Sequence, residues 1–367
     1  MVEKRISAQG AWYQLAVAFF FLQLVSAKEW RHKERINTSV SAVFTFGDSI
    51  VDPGNNNDIA TTTKSNFPPY GRDFPGRQPT GRFCNGRLGT DFIASIVGVK
   101  DNVPAYLDDS LSMEELLTGV GFGSGGTGLD PLTSQLSAVI PMRQQLNYFR
   151  EYLARIELAV GRKLKDDIME RAIFVVSAGT NDFITNYNTY PFRRHEFSVE
   201  EYGSFLRQRL WEFLEGLAEL GARKIGILSL PPMGCLPIVI SVNSMGEIFD
   251  RRCVVELNAM SRDYNAKLRM ELESRPISPA IANVSYVDIY SPMEQLIRRP
   301  AEFGLEETTT GCCGTGLVEL GFLCNPKSVT CPDASKYLFW DAVHPTEKAY
   351  ALIIDALRPA IAHIIRA

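Results

Sequence analysis

The chain has 367 residues, of which 45% are hydrophobic and 22% are charged, and its 38 Lys and Arg against 42 Asp and Glu give a formal net charge of −4. These values are typical of a globular protein and exclude a disordered tail or a fibrous protein. The mild acidity, without a basic block, also argues against nucleic acid as the main partner, because phosphate binding needs clustered Lys and Arg.

An export signal is the first feature along the chain. Lys4 and Arg5 precede an apolar run from Leu15 to Val25, and small residues follow that run. This pattern predicts a secretory signal peptide over residues 1–27, whose removal leaves a single domain over residues 28–367 with no transmembrane segment. A membrane anchor is the alternative, but a span needs about 20 apolar residues. We therefore expect a secreted, extracellular protein.

The cysteine content agrees with export. Four of the seven cysteines fall between positions 312 and 331. In an oxidising compartment we expect most of them to form disulfides, with one thiol left over and the pairing open. A zinc site is the competing interpretation, but no Cys-x-x-Cys pair exists, so no metal is expected. The sequons at Asn37 and Asn283 are candidate glycosylation sites in an exported chain.

Strands and helices then alternate along the chain. Short apolar runs predict strands at Val43–Phe46, Ala172–Ser177, Lys224–Leu230 and Tyr286–Ile289. Apolar residues at three- and four-residue spacing predict helices over Ser134–Leu153, Ser198–Leu220 and Arg251–Leu272, and a last helix that follows Pro345 and is disturbed at Pro359. This alternation indicates one α/β domain whose parallel sheet is covered on both faces.

Polar, glycine-rich segments follow several of these strands, where open α/β sheets bind their ligands. They comprise residues 47–57, 119–128, 179–182 and 341–345. The second segment formally matches the Gly-x-Gly-x-x-Gly motif of dinucleotide sites. However, it does not lie in the first strand-helix-strand unit and contains no P-loop lysine, so we expect no dinucleotide.

A general base must be one of only four histidines. Three of them have the sequence surroundings of surface residues: His32, His195 and His363. The fourth, His344, follows Asp341 by three residues, and a short loop can fold this carboxylate onto the imidazole and leave one ring nitrogen free to accept a proton. The alternative is a helix start in which Asp341 or Thr346 only caps.

Ser49 is the best candidate nucleophile because it lies just beyond the first predicted strand. Its surroundings do not form the Gly-x-Ser-x-Gly elbow of α/β-hydrolases, and a simple turn residue is the alternative. The 119–128 segment can present backbone N–H groups to an oxyanion, and Asn181 can add an amide donor. Alternatively, the Asn181 side chain closes an Asx-turn.

Taken together, the four segments resemble the ordered sequence blocks of the GDSL esterase/lipase family and of the wider SGNH hydrolase superfamily. The blocks are Phe46-Gly47-Asp48-Ser49-x-x-Asp52-x-Gly54-Asn55-Asn56, Gly119-Val120-x-Phe122-x-Ser124-Gly125-Gly126, Gly179-Thr180-Asn181-Asp182 and Asp341-x-x-His344-Pro345-Thr346. The resemblance covers about residues 41–358, and the segments Gly311-Cys312-Cys313-Gly314 and Phe339-Trp340-Asp341 are similar to the plant branch. It implies a flavodoxin-like three-layer sandwich with a central parallel sheet, the SGNH hydrolase fold.

The resemblance also implies a role for each site residue. Ser49 is the implied nucleophile, His344 the general base and Asp341 the residue that orients it. The implied oxyanion hole combines the Ser49 N–H, the Asn181 amide and a glycine, for which Gly126 is our choice and Gly125 is possible. In this chain Gly121 and Gly123 replace the more usual Asn and Ala, and we expect these extra glycines to loosen the loop.

The implied function is that of a secreted serine ester hydrolase of the lipase or carboxylesterase type. It would act through an acyl-serine on ester bonds of lipid or cell-wall-type substrates, without a metal or organic cofactor. An acyltransferase with the same residues and a non-catalytic binding protein on this fold are the alternatives. The acyl specificity depends on loops such as 186–197 and 236–248, whose packing is not visible in the sequence.

Overall fold

The computed structural model describes residues 40–244, 251–274 and 282–366. Four parallel strands form the central sheet in the order β1 (Val43–Gly47), β2 (Ile173–Ser177), β3 (Lys224–Leu228) and β4 (Asn283–Val287). On the other side of β1, Gly121 forms a parallel bridge with Thr45, so the glycine-rich segment runs along the sheet edge. The carboxyl ends of these strands therefore meet at one edge, together with that segment.

Helices cover both faces of the sheet. In chain order they are α1 (Gly89–Ile96), α2 (Met113–Leu117), α3 (Pro131–Ser137), α4 (Met142–Val160), α5 (Arg162–Arg171), α6 (Val199–Glu219), α7 (Pro237–Asn243), α8 (Val255–Ser274), α9 (Tyr290–Arg298), α10 (Glu347–Ala356) and α11 (Arg358–Arg366), with a π-helix at Asp182–Thr189. Strand side chains alternate between the faces, so Phe44 and Phe174 pack with α4 and α6, whereas Val43 and Val175 pack with α1, α10 and α11. The predicted three-layer α/β fold is confirmed.

Proline positions explain where the helices differ from the sequence prediction. The helix expected over Ser134–Leu153 is two helices, α3 and α4, because Ala138 takes a left-handed conformation (φ 51°) and Pro141 precedes the first residue of α4. The last helix, α10, follows Pro345, as predicted. Between them lies Thr346, whose hydroxyl accepts the Ala349 N–H and caps α10. The predicted disturbance at Pro359 is the α10–α11 boundary.

Near the C-terminus, disulfides stabilise an irregular region that carries a second small sheet. Strands β5 (Glu307–Gly311) and β6 (Tyr337–Phe339) pair in parallel. Two disulfides lie in this region, Cys312–Cys331 and Cys313–Cys324, and a third, Cys235–Cys253, joins the segment after β3 to the one before α8. Cys84 is buried and unpaired, so the expectation of disulfides with one thiol left over is confirmed.

The structure covers only some of the residues on which the other export predictions rest. The predicted signal peptide over residues 1–27 and the sequon at Asn37 lie outside the described residues. Asn283 is exposed at the start of β4, and its glycosylation stays a prediction. Within residues 40–244, 251–274 and 282–366, no helix combines the length and the apolar character needed to cross a membrane.

Candidate active site

Ser49, His344 and Asp341 form a continuous chain of hydrogen bonds at the carboxyl edge of the sheet. The Ser49 Oγ lies 2.7 Å from His344 Nε2, and His344 Nδ1 lies 2.8 and 2.9 Å from the two carboxylate oxygens of Asp341. A carboxylate can only accept, so the proton sits on Nδ1 and Nε2 is free to accept the serine proton. All three side chains are buried, with exposed fractions of 8% or less.

The Asp341 carboxylate is held by further donors. Its Oδ1 accepts the backbone N–H groups of Val343 and His344 at 2.9 and 2.7 Å, and its Oδ2 accepts the Tyr70 hydroxyl at 2.7 Å. The Tyr70 oxygen in turn accepts the Gly321 N–H at 2.9 Å. Asp341 therefore contacts the imidazole and its own loop, and the cap of the next helix is the Thr346 hydroxyl. The sequence analysis did not find Tyr70, which lies 271 positions away and carries no local motif.

A tight turn at Gly47 brings Ser49 to the sheet edge. Gly47 has a φ of +128°, and a Cβ at this position would lie 1.7 Å from the Ser177 carbonyl oxygen on the neighbouring strand. No residue with a side chain fits here. The buried Gln145 side chain pairs with both backbone groups of Gly47, donating to its oxygen at 2.9 Å and accepting from its nitrogen at 2.8 Å. This glutamine was also missed by the sequence analysis.

The two candidate glycines of the oxyanion hole differ in their hydrogen bonding. The Gly125 N–H donates to Asp52 Oδ2 at 2.8 Å and is thus already engaged. Among the described residues, the backbone N–H groups of Ser49 and Gly126 have no hydrogen-bond partner. Gly126, whose φ is +86°, is therefore the glycine with an available donor.

The Asn181 amide contacts the residue that follows Gly126. Its Nδ2 donates to the Thr127 carbonyl oxygen at 2.9 Å, which leaves the second amide hydrogen for another acceptor. The side chain makes no capping hydrogen bond to the π-helix that follows, so the Asx-turn alternative is not observed.

Buried asparagine side chains bind carbonyl groups of the glycine-rich loop. Asn55 Nδ2 donates to the carbonyl oxygens of Gly121 and Gly123 at 2.9 and 2.7 Å, and Asn56 Nδ2 donates to that of Gly125 at 2.9 Å. Both asparagines are buried. The expected loosening of the loop by Gly121 and Gly123 stays a prediction.

Three buried carboxyl groups surround the site, and burial raises the pKa of each. The pKa of Asp48 rises to about 7, although the Ile50 N–H and the Ser177 hydroxyl oppose the shift. Burial likewise raises the pKa of Asp52 to about 6 and that of Asp182 to about 7 against several N–H and O–H donors. Charged groups near Ser49 are thus poorly solvated, which strengthens electrostatic interactions there.

Of the other three histidines, the structure describes two. His195 and His363 are exposed, as expected, and His32 lies outside the described residues. In the described part of the chain, no group of three or more His, Cys, Asp or Glu side chains is arranged to hold a metal ion. The expected absence of a cofactor stays a prediction.

Known proteins resemble this chain over most of its length. Residues 43–357 match the family model described as GDSL-like Lipase/Acylhydrolase. The Arabidopsis thaliana GDSL esterase/lipase At5g45960 is 50% identical over 323 residues, which cover 88% of this chain and 86% of that protein. A second Arabidopsis thaliana protein, GDSL esterase/lipase At2g40250, is 46% identical over 318 residues, covering 86% and 88%.

Similarity to solved structures is lower. A catalytic mutant of Axe2, an acetylxylan esterase from Geobacillus stearothermophilus, is 14% identical with a TM-score of 0.38, over 89% of this chain and 96% of that one.

Proposed function

This chain belongs to the GDSL-like lipase/acylhydrolase family and is a carboxylic ester hydrolase, and we propose that it works through an acyl-serine formed on Ser49. The hydrogen-bonded chain from Ser49 through His344 to Asp341 carries this proposal. It supplies a nucleophile, a base with a free ring nitrogen and a carboxylate that orients the base.

Each chemical step follows from these groups. His344 Nε2 takes the Ser49 proton while Ser49 Oγ attacks the ester carbonyl carbon, and the carbonyl oxygen becomes an oxyanion. The N–H groups of Ser49 and Gly126 and the Asn181 amide donate to it. His344 then returns the proton to the departing alcohol as the acyl-serine forms. Water, activated by the same imidazole, releases the acid and regenerates Ser49.

We also propose that the protein is secreted and acts on esters of lipid or cell-wall type. The apolar run after Lys4 and Arg5 supports export. The three disulfides support it independently, because disulfides persist in oxidising compartments.

A covalent probe tests the nucleophile. An alkyl fluorophosphonate should label Ser49, and Ser49→Ala should abolish both labelling and ester hydrolysis. Ser134→Ala is a matched control, because Ser134 is a buried serine whose hydroxyl has no partner among the described residues, and it should retain labelling. Stoichiometric labelling of the Ser49→Ala variant would show that another residue is the nucleophile.

A further inference from the structure

An apolar cavity of about 70 Å³ begins beside Ser49 and extends between the sheet and helices α1 and α10. Its aliphatic walls include Ile93, Leu228, Ile289, Val343, Ile353 and Ile354. Ser49 and Asn181 also line it. A carbonyl group bound between the proposed nucleophile and the proposed oxyanion donor therefore lies against this cavity.

A smaller cavity of about 20 Å³ lies on the same face of the sheet. Ile93 and Leu228 line both cavities, so these two side chains separate the first from the second. Gly226 lines the second cavity and stands two residues before Leu228, on the same face of β3. A Cβ at Gly226 would lie 3.0 Å from Ile364 Cδ1, so the missing side chain keeps this space open.

Leu228 is well placed to limit the length of a ligand in the first cavity. It is the last residue of β3, and it is only half-buried although the residues around it in the layer, Ile93 and Ile354, are buried. Since Leu228 lines both cavities, we expect a shorter side chain to join them and a longer one to shorten the first. A single substitution at Leu228 should therefore change the length of the first cavity.

The chemistry of an acyl-serine indicates which half of an ester belongs in this cavity. The acyl group stays bonded to Ser49 Oγ through both steps, whereas the alcohol must depart before water can attack. A cavity between the sheet and the helices suits the part that stays, because nothing has to leave it before water attacks. The aliphatic walls favour an unbranched hydrocarbon chain over a charged or sugar-like group.

We propose that this cavity holds the acyl chain of the ester and that Leu228, with Ile93, sets the longest aliphatic chain that the enzyme accepts. The inference rests on the proposed acyl-serine chemistry at Ser49. It assigns the substrate class as esters of short, unbranched aliphatic acids and makes Leu228 a specificity-determining residue.

The test varies the acyl chain while the alcohol stays constant. With p-nitrophenyl esters of increasing acyl length, kcat/KM of the wild type should rise by about fourfold per added methylene while the chain fits, and then fall. In Leu228→Ala the fall should move to longer chains, because Gly226 leaves room beyond. In Leu228→Phe it should move to shorter chains. Each rate is divided by the concentration of active sites that react with the fluorophosphonate. Partial unfolding of a variant then does not appear as a lower kcat/KM.

Two controls distinguish the possible outcomes. Ile227→Ala truncates the neighbouring residue, which packs on the opposite face of β3, and should keep the wild-type chain-length profile. An alkyl acetate series, in which only the alcohol lengthens, should respond equally in the wild type and both Leu228 variants. Unchanged acyl profiles in Leu228 variants that still label at Ser49 would overturn this inference alone, as would a shift confined to the alkyl acetates. Failure of the wild type to label at Ser49 would overturn the proposed mechanism and this inference with it.

Discussion

The Asn181 side chain donates one amide hydrogen to the Thr127 carbonyl oxygen, and we propose that the other stabilises the oxyanion. Asn181→Ala should then lower kcat by about 10²- to 10³-fold with little change in KM, because the donor acts mainly in the transition state. Steady-state kinetics and melting temperature are measured on one preparation. A destabilised variant with normal kcat would restrict Asn181 to a structural role.

Tyr70 is a positioning residue, since it touches Asp341 and not the reacting atoms. In Tyr70→Phe, Asp341 Oδ2 loses a donor and the Gly321 N–H loses its acceptor, so we expect a loss of about 1–3 kcal/mol in the free energy of unfolding. A loosened Asp341 should also lower kcat several-fold with KM nearly constant.

Tyr152→Phe is the matched control for Tyr70. Its buried hydroxyl donates to the Leu116 carbonyl oxygen, away from the candidate site. This variant should lose stability without losing kcat. Equal kcat for the Tyr70 and Tyr152 variants would mean that Tyr70 contributes only to folding.

Residues of the site differed in how far the sequence revealed them. Asp341 and His344 could be paired from the sequence because they lie three positions apart in one loop. Ser49 lies 295 positions from His344, and only the ordered family blocks linked the two. Tyr70 and Gln145 carry no such signal, because their roles depend on which backbone groups the folded chain leaves beside them.

At the scale of elements, the buried strands β1, β2 and β3 were predictable because both their faces are covered and they appear as continuous apolar runs. Strand β4 is an edge strand, in which polar Asn283 and Ser285 alternate with apolar residues. The prediction therefore began at Tyr286, too late by three residues.

Short helices were missed for a related reason. Helix α1 has eight residues, of which seven are buried, so it lacks the polar stripe that marks a helix on a surface. Helix α5 has mostly charged residues and only two buried ones, so it has little apolar period. In both cases the surroundings in the fold, and not the local pattern, determine the helix.

At the scale of the whole molecule, the buried carboxyl groups link stability to pH. Burial raises the pKa of Asp48 from 3.8 to about 7, so the folded protein holds a proton that the unfolded chain releases between these values. The stability that the raised pKa of Asp48 contributes is fully present below pH 3.8, and it is lost as the pH rises to about 7.

Asp48→Asn removes this titration and keeps an acceptor for the Ile50 N–H. The free energy of unfolding of the variant, relative to wild type, should increase between about pH 4 and 7 by up to about 1.4 kcal/mol per pH unit. Chemical denaturation across this range measures the difference. Asp109→Asn, at an exposed position, should track the wild type. A constant difference between the Asp48 variant and the wild type would contradict the raised pKa.

Export gives a second prediction for the whole chain. Protein recovered from the medium of a secretory host should begin near Lys28, which N-terminal sequencing measures. After denaturation it should show one reactive thiol, that of Cys84, and before denaturation none, because Cys84 is buried. An intact Met1 or three or more free thiols would contradict secretion into an oxidising compartment.

The 295 positions between Ser49 and His344 also have a consequence for biosynthesis. A ribosome adds about 5–20 residues per second, so a nascent chain carries its serine for roughly 15 to 60 seconds before the histidine is added. No fragment that ends earlier contains the proposed base. A premature stop codon anywhere before that histidine, even within the last tenth of the coding sequence, should therefore give a polypeptide without esterase activity.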